Sequence, residues 1–309
     1  MTSHNNTPVL SVNNLSIRFS QYTKGLYRRE LEVITSLNVD IHERELVAVV
    51  GSSGSGKSLL AHAVMGILPS NAVVSGSIMY QGQQLTSESL KKLRGNEISL
   101  IPQSVTYLDP LMKVGKQIKG LHASDKKVSD ILKRYRLDPD VADMYPYQLS
   151  GGMIRRVLVA TAVITGAKLI IADEPTPGLS GELAQETLCH LRELANAGCA
   201  VMLITHDISA AVKVADSISV FYAGTTVETA QRDDFQENGQ SLRHPHTKAL
   251  WEALPQNGFQ AISGRQPYTG TIINSCPFVP RCHYATPECS TCVSMREMRN
   301  GRVRCVHAT

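Results

Sequence analysis

The sequence has no uninterrupted apolar run of the ~18–20 residues that a membrane-spanning helix needs, so we expect no transmembrane segment. Its opening residues, MTSHNNTPVL, lack the basic stretch and apolar core of a secretory signal. The formal net charge of +4 is small for 309 residues, and no cluster of lysines and arginines stands out. We therefore expect no nucleic acid partner.

Cysteine is scarce through most of the chain. Cys189 and Cys199 stand alone, and we expect both to be small buried hydrophobic residues. The remaining cysteines all lie at or beyond Cys276. Because no export signal is present, we expect a reducing compartment, in which metal binding by these thiols is favoured over disulfides.

The order of apolar segments predicts an α/β fold. ELVAVV, KLIIA and AVMLIT are short continuous apolar runs, as is typical of parallel strands covered on both faces. Helical patterns between them predict right-handed crossovers. Near the N-terminus, VLSVNNLSIRFS and LEVITSLNVDI alternate in part with a period of two, which predicts a pair of antiparallel strands.

Two regions depart from this alternation. From about residue 103 to residue 148 no strand pattern occurs, and a helical face is marked by Val128, Ile131, Leu132 and Tyr135. We interpret that region as a helical insertion within a domain of residues 1–230. Residues 231–309 are more polar and richer in proline, which predicts a linker-like stretch followed by a small cysteine-containing extension.

A phosphate-binding loop is the strongest motif. GSSGSGKS follows a predicted strand and precedes a predicted helix, which is the context that the P-loop pattern requires. Its glycines let backbone N–H groups approach phosphate oxygens, and the helix adds its positive N-terminal end. We expect Lys57 to contact the β- and γ-phosphates and Ser58 to bind Mg²⁺. The predicted ATP-binding residues are Gly51, Ser52, Ser53, Gly54, Ser55, Gly56, Lys57 and Ser58.

Two later motifs follow apolar strands. LIIADE ends in Asp173, which we expect to hold Mg²⁺, and in Glu174, a candidate base that polarises an attacking water. An acidic pair that caps a helix is the alternative. LITHD supplies His206, a candidate hydrogen-bond partner of the γ-phosphate, although a histidine at a strand end is often structural. Gln103, in LIPQS, is a weak signal by itself. The P-loop alone does not distinguish among kinases, GTPases and ATPases.

Five motifs in order, GSSGSGKS, IPQS, LSGGM, LIIADEP and LITHD, resemble those of the ATP-binding subunits of ABC transporters over roughly Val9 to Glu228. The resemblance implies a P-loop NTPase core with an antiparallel β subdomain, and it assigns Gln103 to the catalytic Mg²⁺ site.

It also implies that two nucleotide-binding subunits dock head to tail. Ser150, Gly151 and Gly152 of the LSGG signature would then hold the γ-phosphate of ATP bound to the other subunit, with the N-terminal end of a helix behind them. An aromatic residue ahead of the P-loop is expected to stack on adenine, with Tyr27 as the candidate and Tyr22 as its rival.

The tail resembles that of one branch of the family. HPHTKALWEALP and CPFVPRC look like the C-terminal extension of oligopeptide, dipeptide and nickel importer ATPases. Some relatives with this cysteine arrangement carry a 4Fe-4S cluster, which four thiolates suit. Zinc binding and unmetallated cysteines remain alternatives, and Cys292 is either free or a substitute for Cys289. The candidate ligands are Cys276, Cys282, Cys289 and Cys305.

The resemblance implies an importer ATPase, powered by ATP and Mg²⁺, at the cytoplasmic face of the membrane. Its expected partners are a second ABC ATPase, two membrane permeases and an extracytoplasmic binding protein. Met153 and Ser180 stand where many family members have glutamine and aspartate. Ser180 predicts an altered contact on this chain's side of the dimer, and a partner with standard motifs would make the two ATP sites unequal. A soluble ABC ATPase acting on ribosomes or DNA is the competing hypothesis. Such proteins usually carry two ATP units or a long coiled coil, and neither pattern occurs here.

Overall fold

The computed structural model describes residues 7–22, 28–120, 123–267, 275–291 and 293–308. Its strands are β1 (Leu10–Tyr22), β2 (Arg28–Ile41), β3 (Leu46–Gly51), β4 (Ala72–Tyr80), β5 (Gln83–Gln84), β6 (Ile98–Ile101), β7 (Leu169–Asp173), β8 (Ala200–Thr205), β9 (Ser217–Tyr222), β10 (Thr225–Gln231), β11 (Arg296–Met298) and β12 (Gly301–Val303). Its α-helices are α1 (Lys57–Met65), α2 (Ser87–Leu93), α3 (Val114–Lys119), α4 (Asp125–Arg134), α5 (Gly151–Val163), α6 (Gly181–Asn196), α7 (Ile208–Val214) and α8 (Pro245–Glu252).

The central sheet has the order β11-β12-β10-β9-β3-β8-β7-β6. Strand β3 lies in its middle and pairs in parallel with both β8 and β9, while β7 pairs in parallel with β6 and β8. Every residue of β3 is buried, because its successive side chains enter two different cores. Leu46, Ala48 and Val50 pack into one core, and Val47 and Val49 pack into the other. The predicted α/β fold with buried parallel strands is confirmed.

A second sheet is antiparallel and has the order β2-β1-β4-β5. Strands β1 and β2 pair along most of their length, as the alternating pattern predicts. The inward side chains of this sheet, such as Leu10, Leu15 and Ile34, share one core with the first helix, α1, and with one face of β3. The antiparallel sheet therefore packs against the same face of the central sheet as α1, the helix that follows the P-loop.

The region from residue 103 to residue 148 forms no strand within its described residues. It contains α3, α4 and three short 3₁₀ helices, Val105–Tyr107, Pro139–Asp143 and Pro146–Gln148. Val128, Leu132 and Tyr135 are buried against α5, and Ile131 is partly buried beside them. Burial of the predicted apolar face therefore fixes the insertion to the helix that follows the LSGG segment.

The chain beyond residue 230 packs more closely than its linker-like sequence suggests. Strand β12 pairs with β10, so the C-terminal segment extends the central sheet. Arg243 and Glu228 form an ion pair in which both side chains are fully buried. Phe278 joins the main hydrophobic core. Buried polar residues can be stabilised by pairing with one another. The sequence of this region therefore resembles that of a surface loop although part of it lies inside the fold.

The two isolated cysteines differ from the expectation. Cys189 is exposed, so the prediction that it is buried is wrong. It lies one residue from the buried Leu188 on α6, and a helix turns by about 100° per residue, which directs Cys189 away from the core. Cys199 is half-buried, and its thiol donates to the carbonyl of Ala167 at 3.2 Å.

Within the described ranges, none of the helices combines the length and the apolarity that crossing a bilayer demands.

Candidate nucleotide site

The P-loop joins the carboxyl end of β3 to the start of α1. Gly54 and Gly56 have φ values of 77° and 94°, in the left-handed region that glycine adopts without strain. A Cβ at Gly51 would lie 2.5 Å from the carbonyl oxygen of Phe221, so the adjoining strand also requires glycine there. These constraints shape a loop whose backbone leads directly into a helix N-terminus, as anion binding requires.

Lys57 is folded into this loop and is only 7 % exposed. Its ammonium group donates to the carbonyl oxygens of Gly51 at 2.8 Å and Ser52 at 3.0 Å. Burial lowers the pKa of Lys57, and the nearby carboxylates of Glu174 and Asp173 oppose that shift. Backbone oxygens thus hold the ammonium group of Lys57 at the loop. A phosphate oxygen, which is charged, would be a stronger hydrogen-bond partner for it.

Two of the three predicted Mg²⁺ ligands, Ser58 at the start of α1 and Asp173 at the end of β7, are in contact. Asp173 ends β7 and is 2 % exposed, and the hydroxyl of Ser58 donates to its Oδ1 at 3.2 Å. Burial raises the pKa of Asp173. Mg²⁺ that binds substrate phosphates usually takes only one or two oxygen ligands from the protein. The hydroxyl of Ser58 and the carboxylate of Asp173, next to the phosphate loop, fit that ion.

Glu174 follows directly and points its carboxylate to His206. The Nδ1 atom of His206 lies 2.9 Å and 3.0 Å from the two carboxylate oxygens of Glu174. Glu174 has φ of 47°, an unusual value outside glycine, and its N–H donates to the carbonyl of Ile204 at 2.9 Å. The next two helices, α6 and α7, have Ser180 and Asp207 as their N-cap residues. Glu174 therefore caps neither of these helices.

Gln103 lies just past the end of β6 and is exposed. Behind it, the guanidinium of Arg155 donates to the carbonyl of Pro102 at 2.9 Å and is itself 7 % exposed. Burial lowers the pKa of Arg155, while Asp173 and Glu174 raise it, so this cation lies close to the carboxylates. The sequence pattern did not single out Arg155. The available signal was a pair of arginines, Arg155 and Arg156, inside a mostly apolar helical run.

The LSGG segment forms the exposed start of α5. Ser150 caps α5, and its Oγ accepts a hydrogen bond from the N–H of Met153 at 3.4 Å. A Cβ at Gly151 would meet nothing within 4 Å, so packing inside the chain does not require glycine there. Close approach of a molecule from outside is the remaining physical reason for glycine at this position.

A distant segment also reaches the P-loop. The Oγ of Ser52 donates to Oε1 of Gln266 at 2.5 Å, across 214 positions of sequence. Arg281 fixes this segment by donating to the carbonyls of Ser263 at 2.9 Å and Ile262 at 3.1 Å. No local sequence signal marks Gln266, because a polar residue between helices has the composition of any surface loop.

The four candidate cysteines converge in the C-terminal region. They line one cavity of about 10 Å³ together with His244, whereas Cys292 and the adenine-stacking candidate Tyr27 lie outside the described residues, as does the side chain of Tyr22. Burial first, and then the charges of the other three thiols, raises the pKa of Cys276 to about 11. Among the described residues, no group of three or more His, Cys, Asp or Glu side chains is arranged to hold a metal ion.

We expect Lys57→Ala to weaken binding of Mg-ATP by about 10- to 100-fold, because a hydrogen-bonded charge at the phosphates is lost. Calorimetric titration with a non-hydrolysable ATP analogue measures the change. Lys168→Ala, which removes an exposed lysine paired with Glu97, is the matched control and should bind ATP normally. Equal affinities of the Lys57 variant and the wild type would contradict the assignment.

Comparison with known proteins gives two family matches. Residues 34–177 match the ABC transporter family, and residues 227–289 match the oligopeptide/dipeptide transporter C-terminal region. The chain is 33 % identical to the oligopeptide transport ATP-binding protein OppD of Haemophilus influenzae, over 96 % of each sequence. It is 34 % identical to AppD of Bacillus subtilis, again over 96 % of each, and 33 % identical to the dipeptide transport protein DppD of the same organism, over 89 % of this chain and 86 % of that one.

Solved structures agree with the fold. The dimeric post-hydrolysis state of the ATP-binding cassette MJ0796, bound to ADP and Pi, superposes with a TM-score of 0.63 at 25 % identity, and covers 72 % of this chain and 98 % of that one. The ATP-binding subunit of another ABC transporter gives a TM-score of 0.62 at 22 % identity, over 75 % of this chain and 94 % of that one.

Proposed function

Because the chain belongs to the ATP-binding subunits of oligopeptide and dipeptide ABC transporters, we propose that it drives peptide import. As a member of that family it is an ATPase that converts ATP and water to ADP and phosphate. The observation that carries the proposal is the meeting of Lys57, Ser58 and Asp173 with the Glu174–His206 pair at one edge of the central sheet.

Each of these groups has a distinct part in hydrolysis. Lys57 and the loop N–H groups bind the phosphates, and Ser58 with Asp173 would hold Mg²⁺, which supplies positive charge to the phosphate oxygens. Glu174 accepts a hydrogen bond from the attacking water and orients it. His206 is hydrogen-bonded to that carboxylate, and its ring is 60 % exposed, so the ring would be accessible to a γ-phosphate.

A second ABC ATPase completes the site. Ser150, Gly151 and Gly152 lie on an open surface, and we infer that they cover the γ-phosphate of ATP bound by the partner. Ser180 replaces the acid that normally bridges the two subunits, so a partner ATPase with the standard motif would make the two sites unequal. The relative solved with ADP and Pi is likewise a dimer.

The permease surface lies beside the helical insertion. A groove of about 960 Å³ runs between the sheet core and the insertion, and it includes Pro102, Tyr107 and Met112. Tyr107 and Leu111 are exposed by 51 % and 85 %. We propose that a cytoplasmic loop of each permease docks at such a groove, next to Gln103, and that the chain acts at the cytoplasmic face of the membrane. An extracytoplasmic binding protein delivers the substrate to the permeases.

Co-purification tests this assignment. A tagged chain should retain two permeases and a second ABC ATPase, and the reconstituted complex should couple ATP hydrolysis to uptake of labelled peptide. Uptake of nickel or a metal chelate instead of peptide would change the substrate class only. Recovery with ribosomes or DNA, and without permeases, would refute the transport function.

We expect Ser150→Arg to block ATP-driven closure of the ATPase pair while ATP still binds to this chain's own P-loop, because the new side chain fills the space for the partner's phosphate. Cysteine crosslinking across the dimer interface reports closure. Ser124→Arg is the matched control, since Ser124 caps α4 in the same way on another surface. Closure that persists in the Ser150 variant would show that the signature does not act across subunits.

We also propose that the four C-terminal cysteines hold a 4Fe-4S cluster. Zn–S bonds of about 2.3 Å would require the four sulfurs to lie about 3.8 Å apart, and a cubic cluster separates its thiolates more widely. Four thiols that line one cavity are the number of ligands that such a cluster takes. The cavity has room for about one water, so loading requires the short cysteine side chains to rotate outward.

Removal of a ligand tests the cluster. Protein purified without oxygen should be brown, with absorption near about 400 nm and about four iron and four sulfide per chain. Cys276→Ser should lose the colour, and Cys189→Ser, which alters an exposed cysteine of α6, should keep it. A colourless wild type with stoichiometric zinc would establish a zinc site, and one without metal would refute both.

A further inference from the structure

Residues 262–266, which we call the strap, connect the C-terminal region to the P-loop. Ile262, at the start of the strap, is partly buried against the main hydrophobic core. At the other end, Oε1 of Gln266 accepts a hydrogen bond from the hydroxyl of Ser52 at 2.5 Å. The strap therefore leads from the core to the second residue of the phosphate loop.

Two features hold the strap in place. The guanidinium of Arg281 donates to the carbonyls of Ile262 at 3.1 Å and Ser263 at 2.9 Å, and to the hydroxyl of Tyr222 at 3.2 Å. Tyr222 ends β9 and is 1 % exposed, so this arginine joins the strap to the central sheet. Gly264 turns the chain with φ of 80°, in the left-handed region that favours glycine. The strap is thus anchored before it reaches the P-loop.

Ser52, the residue that the strap contacts, organises the P-loop through its backbone carbonyl. This oxygen accepts the N–H of Ser55 at 3.2 Å and the ammonium group of Lys57 at 3.0 Å. The position of Ser52 therefore bears on the turn of the loop and on the placement of the lysine. The bond to Gln266 uses only the side-chain hydroxyl, so it occupies none of the backbone N–H groups with which a P-loop binds phosphate.

We propose that Gln266 is a positioning residue of the ATP site, which fixes Ser52 so that the P-loop already has its phosphate-binding conformation before ATP arrives. A binding loop that is fixed in advance loses less conformational entropy when its ligand binds, so affinity rises. The inference rests on the proposed role of the P-loop in ATP binding. It extends that role, because ATP affinity then depends on the C-terminal region as well as on the loop itself.

The variant Gln266→Met tests the contact, because methionine has nearly the same length and no oxygen to accept the hydroxyl of Ser52. We expect the Kd of the full-length chain for Mg²⁺ and a non-hydrolysable ATP analogue to rise by about 3- to 10-fold, as for one lost hydrogen bond. The kcat of the assembled transporter at saturating ATP should stay near that of the wild type. Gln260→Met, the same substitution at an exposed glutamine earlier in the chain, is the control and should bind normally.

A double-mutant cycle shows whether the effect passes through Ser52. Ser52→Ala removes the other partner of the same bond and should raise the Kd by a similar factor. The double variant should bind no more weakly than the weaker single variant, because only one interaction is lost.

An unchanged or lower Kd in Gln266→Met, or additive effects in the cycle, would overturn the inference. The variant Lys57→Ala separates this failure from a failure of the proposed function. A weakened Lys57 variant beside a normal Gln266 variant would refute the strap alone, whereas normal binding by both would refute the P-loop assignment as well.

Discussion

We expect Glu174→Gln to lower ATP turnover of the assembled transporter by about 10²–10⁴-fold, because it removes the carboxylate that orients and polarises the attacking water. Glutamine has nearly the same size and keeps an oxygen that faces His206. The backbone bond from residue 174 to Ile204 is unaffected, so the loop at β7 retains its shape. ATP binding, which depends on the P-loop, should stay within a few-fold of the wild type.

Steady-state phosphate release and equilibrium ATP binding, measured on the same preparation, separate these two effects. Glu193→Gln is the charge-matched control. Glu193 is an exposed residue near the C-terminal end of α6 and pairs with Arg134. It should hydrolyse ATP at the wild-type rate. Normal turnover in the Glu174 variant would show that another group activates the water.

We expect Arg243→Met to lower the free energy of unfolding by about 3–5 kcal/mol, since it leaves the carboxylate of Glu228 buried without its cation. Both side chains of the pair are fully buried, with Nη1 of Arg243 3.2 Å from Oε1 of Glu228. Arg243 also pairs with Asp234 at 2.9 Å and donates to the carbonyl of Met298 at 2.9 Å. One residue thus joins β10, the segment after it and the C-terminal strands.

Urea denaturation of the full chain measures this loss. Arg18→Met is the matched control, because Arg18 forms an exposed pair with Glu30, and such pairs contribute about 0–1 kcal/mol. The double variant Arg243→Met with Glu228→Gln should regain part of the lost stability, since the uncompensated charge is gone. A loss no larger than that of Arg18→Met would show that water reaches Glu228.

The sequence by itself determined that the chain carries an ATP-binding cassette, and it predicted which residues form its site. The spacing of GSSGSGKS between an apolar strand and a helix specifies a phosphate loop, since the necessary geometry is local. Asp173, Glu174 and His206 were identifiable as candidates because each lies at or just past the end of a buried strand, and parallel neighbouring strands end at one edge of a sheet. Residue type and local pattern were sufficient for these predictions.

Only the tertiary structure decided how the C-terminal region packs. Its polar sequence suggested a linker, yet Arg243 and Glu228 are buried because each neutralises the other. Gln266 reaches Ser52, and His244 reaches the cysteine cavity, through contacts between distant positions. Periodicity reports which face of an element is apolar, but it does not report which buried polar groups meet. Those pairings depend on how the chain returns to the edge of the central sheet.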